Sequence, residues 1–569
     1  MRYKNEDHDL KLYAVAGTQT VLLSFDIDKS KLGNDFLGFS VERKNNQGHT
    51  SYLNGSKHFA SLEQNPDPAI RDTSLVQSFY WQDYTADPEQ TYTYTIKPMF
   101  GTALHHLPKY ENSILVTTEK LHDGRHSVYF NYGVTGSQAY AKKYGNKIIS
   151  ELLGKELQNE LSLLGRDLWS EGLLRFVRQA TDNRFSIYGA FYEFQYPDFL
   201  AELKAATVRN VDVQLVVSGK TDQYEDKTYQ NGTVRFNNKT MITNAGLDPY
   251  IKTLRKKPSQ PHNKFMILCE DGKAKQVWTG STNITLAGIF GQCNTGHWIE
   301  DPDIADEYLT YWKGLVGDPA MSKQAKVSNS IQADTNLIDL PDGNYVFFSP
   351  RDLPKVPDEA PVHLQNYANL IDSASELVCM IFPFNMDNVF STVFKKDKTY
   401  LRLLLFESSS DAKQVQSNDT DVKVTAGAIY DGDEKNWAKE ITTKATTGAG
   451  ILYVHNKFFI LDPLTENPVV LTGSANFSAN SIMNNDENSI LIKGDPRVAD
   501  IYLTEFDRLF VHFWPRYLRK IEPTGTQTPK GFSKPLDETF TWYDNYFDET
   551  TFATKRKQLF IKMTGAKKG

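Results

Sequence analysis

One short pattern occurs twice in the chain. His262-Asn263-Lys264 runs through an apolar, strand-sized stretch to Leu268, and Gly280-Ser281-Thr282-Asn283 begins eighteen residues after the histidine. His455-Asn456-Lys457 runs through Phe458-Phe459-Ile460-Leu461 to Asp462, and Gly473-Ser474-Ala475-Asn476 begins at the same interval. The exits agree as well. Asp301-Pro302-Asp303-Ile304-Ala305-Asp306-Glu307-Tyr308-Leu309-Thr310 and Asp495-Pro496-Arg497-Val498-Ala499-Asp500-Ile501-Tyr502-Leu503-Thr504 share seven of ten residues. A repeat of this kind is an internal duplication. A histidine and a lysine two apart on an extended strand leave the same face, so each copy offers an imidazole and an ammonium side by side.

The pattern around each copy predicts α/β units. In the first half the predicted strands are Phe185–Phe191 and Val211–Val217, with a helix over Pro197–Val208 between them and another over Ile148–Leu164. Strand, helix and strand with short connections imply a parallel sheet. The second half repeats the plan with Leu377–Phe382, a short helix over Asn388–Phe394, and Leu401–Phe406. The polar excursions 218–260 and 408–449 read as surface loops, and the proline-bearing stretch 325–362 as a connector. Ahead of both halves, Val21–Ile27, Leu37–Glu42 and the alternating Thr91–Lys97 predict a β sandwich. Its Trp81, Pro88, Tyr92 and Tyr94 resemble a fibronectin type III module. The 569 residues therefore divide into a β domain and connector (1–145), two α/β domains (146–330 and 331–520) and a tail (521–569). In the tail, Phe540–Phe547 is aromatic and expected to pack back onto a domain. The last fifteen residues hold six lysines or arginines, read as a solvated terminus or a contact for an anionic surface.

Composition excludes little but tilts the reading. A formal net charge of −7 argues against a broadly cationic nucleic-acid binder, though Arg255-Lys256-Lys257 before the first motif is a candidate phosphate track. Cys269, Cys293 and Cys379 form no C-x-x-C pair and read as reduced thiols. The first residues lack the apolar core of a signal peptide, and no apolar run reaches the ~18 residues that span a bilayer. A cytoplasmic chain is the expectation.

If the two halves pack about a pseudo-twofold axis, both histidines, both lysines and both Gly-Ser-x-Asn turns meet in one pocket. Two cations, two imidazoles and several neutral donors suit a phosphodiester. This constellation resembles the phospholipase D superfamily, with its repeated His-x-Lys-(x4)-Asp and downstream Gly-Ser-x-Asn. The resemblance implies two tandem phospholipase D-like domains and a two-step displacement that needs no metal or other cofactor. His262 would attack phosphorus to give a phosphohistidine, and His455 would serve as general acid and then base. Lys264, Lys457, Asn283 and Asn476 would hold the phosphate, with Ser281, Ser474, Gly280 and Gly473 lining it. Asp462 would support the second copy, where the first has Cys269 in the acidic position and Glu270 on the opposite face. The family also orients each histidine with a downstream polar group. Thirty-two residues on from each histidine lie Glu487 and Asn294, although alignment back from the Asp-Pro exits places Cys293 there instead. A carboxylate behind one ring and an amide behind the other would separate their roles.

His297 is a further candidate for the pocket, while His105, His106, His126 and His512 read as surface or packing residues. The favoured substrate is a phospholipid, with Ile289, Phe290, Trp298, Phe477 and Met483 as a possible apolar lip. A nuclease acting on DNA or RNA is the alternative, and a phosphate-binding adaptor without turnover the third reading. The β domain offers a surface for a protein partner.

Overall fold

The computed structural model describes residues 1–55, 57–62, 75–136, 152–228, 234–331, 336–352, 359–384, 386–415, 419–427, 454–521 and 535–569. The start of the helix expected at Ile148, most of the excursion 408–449, and Pro354 and Pro357 of the connector lie outside these residues.

Two seven-stranded mixed sheets form the centre. The first contains β1 (His126–Phe130), β2 (Phe185–Phe191), β3 (Asp212–Ser218), β4 (Ile251–Arg255), β5 (Lys264–Glu270), β6 (Lys273–Gly280) and β7 (Thr295–Ile299). The second contains β8 (Gly343–Ser349), β9 (Leu377–Phe382), β10 (Leu401–Phe406), β11 (Val422–Ala426), β12 (Phe458–Leu461), β13 (Val469–Gly473) and β14 (Glu487–Lys493). Their orders are β1-β7-β6-β5-β2-β3-β4 and β8-β14-β13-β12-β9-β10-β11. Each strand of one sheet thus has a counterpart seven numbers away in the other. The pairing senses also agree: β2-β3-β4 and β9-β10-β11 are parallel, and the remaining pairs are antiparallel.

Strand alternation explains why the motif strands are apolar throughout. On β5, Phe265, Ile267 and Cys269 point into a core shared with Phe458 and Ile460 of β12. Met266 and Leu268 point into a separate core under the helices of the first half, and Phe459 and Leu461 into one under those of the second. The central core also takes Tyr308 and Trp312 from α1 (Pro302–Leu315) and Tyr502 and Phe506 from α2 (Pro496–Ile521). These two helices follow the matching Asp-Pro exits, and Asp301 caps α1 by accepting hydrogen bonds from the N–H groups of Asp303 and Ile304.

The N-terminal strands form two five-stranded sheets. One holds Arg2–Asn5, Lys11–Ala16, Val21–Asp26 and Tyr80–Asp83, closed at its edge by Lys567–Lys568 from the far end of the chain. The other is built on Phe36–Asn45 and Thr91–Gly101, and the latter buries every second residue. The buried faces of both sheets contribute to one core, with Leu23 and Phe25 from the first and Val41, Tyr94 and Ile96 from the second. His126–Phe130, placed by sequence in this domain, instead pairs with β7 at the edge of the first large sheet. The excursion 218–260 is also not a plain loop, since it contains a helix over Asn238–Asn244 and ends in the edge strand β4.

The C-terminal residues act as a clasp. Trp542, Tyr543, Tyr546 and Phe547 pack on the N-terminal core. In α3 (Phe552–Ile561), Arg556 pairs with Asp507, Lys557 with Asp26 at 2.8 Å, and Lys555 with Asp421. Lys568 pairs with Asp7. Four of the six basic residues are therefore engaged by acids of three different regions, and the solvated-terminus reading gives way to an internal one. Among the described residues, no helix is long and apolar enough to cross a membrane.

The two halves are locked by a buried ion pair. Arg255 Nε and Nη2 donate to Asp486 Oδ2 and Oδ1 at 2.8 and 3.1 Å, and the two residues are 0% and 1% exposed. Breaking such a pair strands a charge in a dry site, whereas replacing both partners by apolar groups does not. Arg255→Ala is expected to destabilise the chain by about 3–5 kcal/mol. The double change Arg255→Met with Asp486→Leu should recover most of that loss, both read from denaturant unfolding.

Candidate active site

Both motifs stand at the entry to a strand rather than inside one. β5 begins at Lys264, and β12 begins one residue after Lys457. The residue before each histidine bridges to the other half: Pro261 pairs with Asp486, and Val454 with Cys293. His262 N–H donates to Asp486 O at 2.9 Å and His455 N–H to Cys293 O at 3.1 Å. This backbone exchange brings the downstream residue of each half against the histidine of the other.

His262 Nδ1 lies 2.9 Å from Glu487 Oε2, and His455 Nδ1 lies 2.9 Å from Asn294 Oδ1. The ambiguity between Asn294 and Cys293 disappears here, because Cys293 supplies its main chain to His455 while Asn294 supplies its side chain. An acceptor at each Nδ1 favours the tautomer that carries hydrogen there, which leaves Nε2 as the basic atom. The serines of the Gly-Ser-x-Asn turns hold these supports. Ser281 Oγ donates to Asn294 Oδ1 at 2.8 Å, and Ser474 Oγ donates to Glu487 Oε2 at 2.7 Å. They orient the groups behind the histidines instead of lining a phosphate. The two glycines are required by close backbone approach. A Cβ on Gly280 would fall 2.3 Å from Thr295 O, and one on Gly473 equally close to Asn488 O.

Lys264 Nζ donates to His262 O and Lys457 Nζ to His455 O, each at 2.7 Å. Each ammonium also faces an aromatic ring that the sequence reading missed, Tyr192 at 5.2 Å and Phe384 at 5.6 Å. The same rings stand edge-on to the histidines, Tyr192 4.9 Å from His262 and Phe384 6.0 Å from His455. Both follow equivalent strands, β2 and β9, and that position was the available signal. Glu193 is a second omission. It accepts from Asn283 Nδ2 at 2.6 Å and from Arg235 Nη2 at 3.0 Å. The side-chain oxygens of Asn283 and Asn476 are buried with no hydrogen-bond partner among the described residues.

The residues after the histidines continue the crossing. Asn263 Oδ1 accepts from Asn488 Nδ2 at 2.8 Å, and Asn456 Nδ2 donates to Thr295 Oγ1 at 2.7 Å.

Other sequence candidates lie elsewhere. Ile289, Phe290, Trp298 and Phe477 are core residues, and Met483 packs against the core of the second half, so none forms a lip. Arg255 is sealed in its ion pair and unavailable to a phosphate track. His297 is buried between His126 (3.0 Å) and Tyr502 (3.1 Å), and that pair occupies both ring nitrogens. Asp462 makes no ion pair among the described residues. It accepts from the N–H groups of Ser375, Glu376 and Leu377 and from the Ser375 hydroxyl, at 2.8–2.9 Å, and so anchors the start of β9. In the first half β5 runs two residues further, carrying Cys269 into the central core. The left-handed turn then falls at Asp271 (φ 50°) instead of a position matching Asp462 (φ 46°).

Burial governs the electrostatics. It lowers the histidine pKa values well below the usual range, with both lysines adding to the effect. Burial brings Lys264 down to about 7 against the pull of Glu487 and Glu193, and pushes Lys457 well down. Burial raises Glu487 to about 8, opposed first by Lys264 and then by the hydrogen bonds from Ser474 and Asn485. Glu487, its own ionisation opposed by burial, balances the two lysines only in part, and a bound phosphate would supply further negative charge.

The sequence of the chain matches the family model described as cardiolipin synthase, PLD-like domain, over residues 173–316 and 393–510. These stretches contain both motifs and both supporting residues. Mitochondrial cardiolipin hydrolase of Canis lupus familiaris is 37% identical over 79 residues, 14% of this chain and 29% of that protein. The chain thus spans less than a third of the length of the curated relatives it matches. Phosphatidylserine synthase of Haemophilus influenzae Rd KW20 superposes with a TM-score of 0.42 at 10% identity, covering 68% of this chain and 92% of that one. The phospholipase D family member Nuc of Salmonella typhimurium gives 0.19 at 24% identity, covering 25% and 83%.

Two measurements test this geometry. At pH 8, where Lys264 is mostly neutral, binding of inorganic phosphate should raise the lysine and histidine pKa values and take up protons. Calorimetry in buffers of different ionisation heat reads this uptake, and Lys264→Met should diminish it. Asp462→Ala should cost about 1–3 kcal/mol of stability while leaving phosphate affinity unchanged. Two stretches of the chain thus match a PLD-like domain model, and mitochondrial cardiolipin hydrolases are among its relatives.

Proposed function

We propose that the chain is a cytoplasmic, metal-independent phosphodiesterase whose two halves are tandem phospholipase D-like domains packed about a pseudo-twofold axis. The observation that carries this reading is the crossed support of the two histidines, Glu487 behind His262 and Asn294 behind His455. A carboxylate behind an imidazole raises its basicity and stabilises the positive charge that develops when Nε2 bonds to phosphorus. His262 is therefore assigned as the nucleophile, in agreement with the order implied by the family resemblance. An amide oxygen gives an imidazolium less support, so the ring of His455 yields its proton more readily to the leaving alkoxide. In the second step His455 takes a proton from water, the water oxygen bonds to phosphorus, and the bond to His262 breaks.

Lys264 and Lys457, with the side-chain amides of Asn283 and Asn476, are assigned to the non-bridging oxygens. A phospholipid remains the favoured substrate. Arg255, sealed in its ion pair, is lost from the candidate phosphate track, which leaves only the exposed Lys256 and Lys257, and Phe384, 39% exposed beside His455, offers an apolar surface on the leaving-group side. The N-terminal sheets, up to Thr117, are assigned as a fibronectin type III-like packing module with a surface for protein partners.

Turnover should appear on phospholipid vesicles in the presence of chelator and be absent on single- or double-stranded DNA and RNA. Cleavage confined to nucleic acid would transfer the assignment to a nuclease, and binding without turnover to an adaptor. His262→Asn and His455→Asn should each lower the rate by about 10²–10⁴-fold. Only His455→Asn should accumulate a phosphoenzyme in rapid-quench experiments. Asn294→Asp should shift the pH–rate profile, and an unchanged profile would remove the division of roles.

A further inference from the structure

A cavity of about 570 Å³ lies where the N-terminal sheets, α2 and α3 meet, lined by none of the residues of the candidate active site. Its walls are Phe510, Val511, Trp514 and Leu518 of α2, Leu403 of β10 and Phe552 of α3. The rings of Phe506, Phe510 and Trp514 stack along α2 at centroid distances of 5.7 and 5.6 Å, giving that helix a continuous aromatic flank. The size lies within the range of pockets that enclose small ligands.

The charged groups of this cavity are unbalanced. Lys423 and Arg556 line it against a single acid, Asp507, which Arg556 already engages. Lys423 is half-buried, stands 5.2 Å over the Phe552 ring, and has no ion-pair partner among the described residues. Its neighbour Asp421 is taken by Lys555. Arg556 Nη1 is likewise buried with no hydrogen-bond partner. Ammonium and guanidinium groups placed against an apolar wall are stabilised by an anion that brings its own apolar body.

We propose that this cavity binds a single-chain amphiphile with an anionic head, of the fatty-acid class. The chain lies along the Phe510, Trp514 and Leu518 flank, and the carboxylate meets Lys423. The proposal is independent of the catalytic reading, because it concerns a separate cleft and a ligand that is not cleaved.

The test is a fluorescence titration of the full chain with 11-(dansylamino)undecanoate, followed by competition. Saturable binding is expected, displaced by dodecanoate and at least tenfold less well by dodecyl maltoside, which has the same chain and a neutral head. Val511→Trp, which fills the cavity, and Lys423→Glu, which reverses its free cation, should each weaken binding at least tenfold. His455→Ala should bind as the wild type does. Should Val511→Trp fail to fold, Lys423→Glu carries the test, with its thermal midpoint as control. Absence of saturation would overturn the proposal. So would wild-type affinity in a folded Lys423→Glu variant, equal competition by the neutral detergent, or loss of binding in His455→Ala.

Discussion

Each half of this molecule holds the histidine of the other. The strand entry at Pro261 pairs with Asp486 and that at Val454 with Cys293, and from these bridges Glu487 and Asn294 reach across to the rings. Neither half alone contains a complete site, so the interface and the site are the same structure. Buried polar interfaces tolerate this only when nearly every group is partnered. The Asn488–Asn263 and Thr295–Asn456 hydrogen bonds and the Arg255–Asp486 ion pair meet that demand. The shared core of Phe265, Ile267, Phe458, Ile460, Tyr308 and Tyr502 supplies the apolar burial that keeps the halves together.

The site gathers charge that burial would normally expel. Two lysines, each nearly inaccessible, are held by the carbonyl of the histidine two residues earlier and faced by Tyr192 or Phe384. A carbonyl and a ring face supply partial negative charge without neutralising the ammonium. Burial nonetheless draws both lysines toward the neutral form, Lys264 down to about 7. On the proposed reading, a phosphate entering between them restores their charge at positions already fixed, so the donors need no rearrangement.

Much of this arrangement was legible in the sequence, for a physical reason. A duplication fixes spacing, and spacing along strands fixes geometry, so counting thirty-two residues from each histidine reaches the two supports. The core strands β2, β3, β9 and β10 were visible as apolar runs buried on both faces. What stayed hidden depends on partners distant in sequence. Nothing local shows that His126–Phe130 leaves the N-terminal sheets for β7, or that Arg255 is sealed against Asp486 rather than turned to solvent. Ile289, Phe290 and Trp298 look the same in sequence whether they form a lip or a core. That Asp462 supports the second half was expected, but its partners were hidden, since they are backbone N–H groups, which carry no residue signature. The terminal basic cluster was misread because its acids, Asp421, Asp507 and Asp26, lie far from it in the chain.

The crossing also explains how a repeated frame can support unequal chemistry. In an arrangement where each half oriented its own histidine, a change in one support would alter a ring and its own strand together. Here the support and the ring belong to different sheets. Asn294 and Glu487 therefore differ while β5 and β12, and the lysines they carry, keep the same relation to their histidines. Tyr192 and Phe384 add to the difference, since they stand one residue past β2 and two past β9 and give one ring a hydroxyl and leave the other apolar. The inherited backbone sets where two imidazoles stand. On the proposed reading, one carboxylate in place of an amide makes their proton affinities unequal, and unequal proton affinity would give a symmetric frame a direction of reaction.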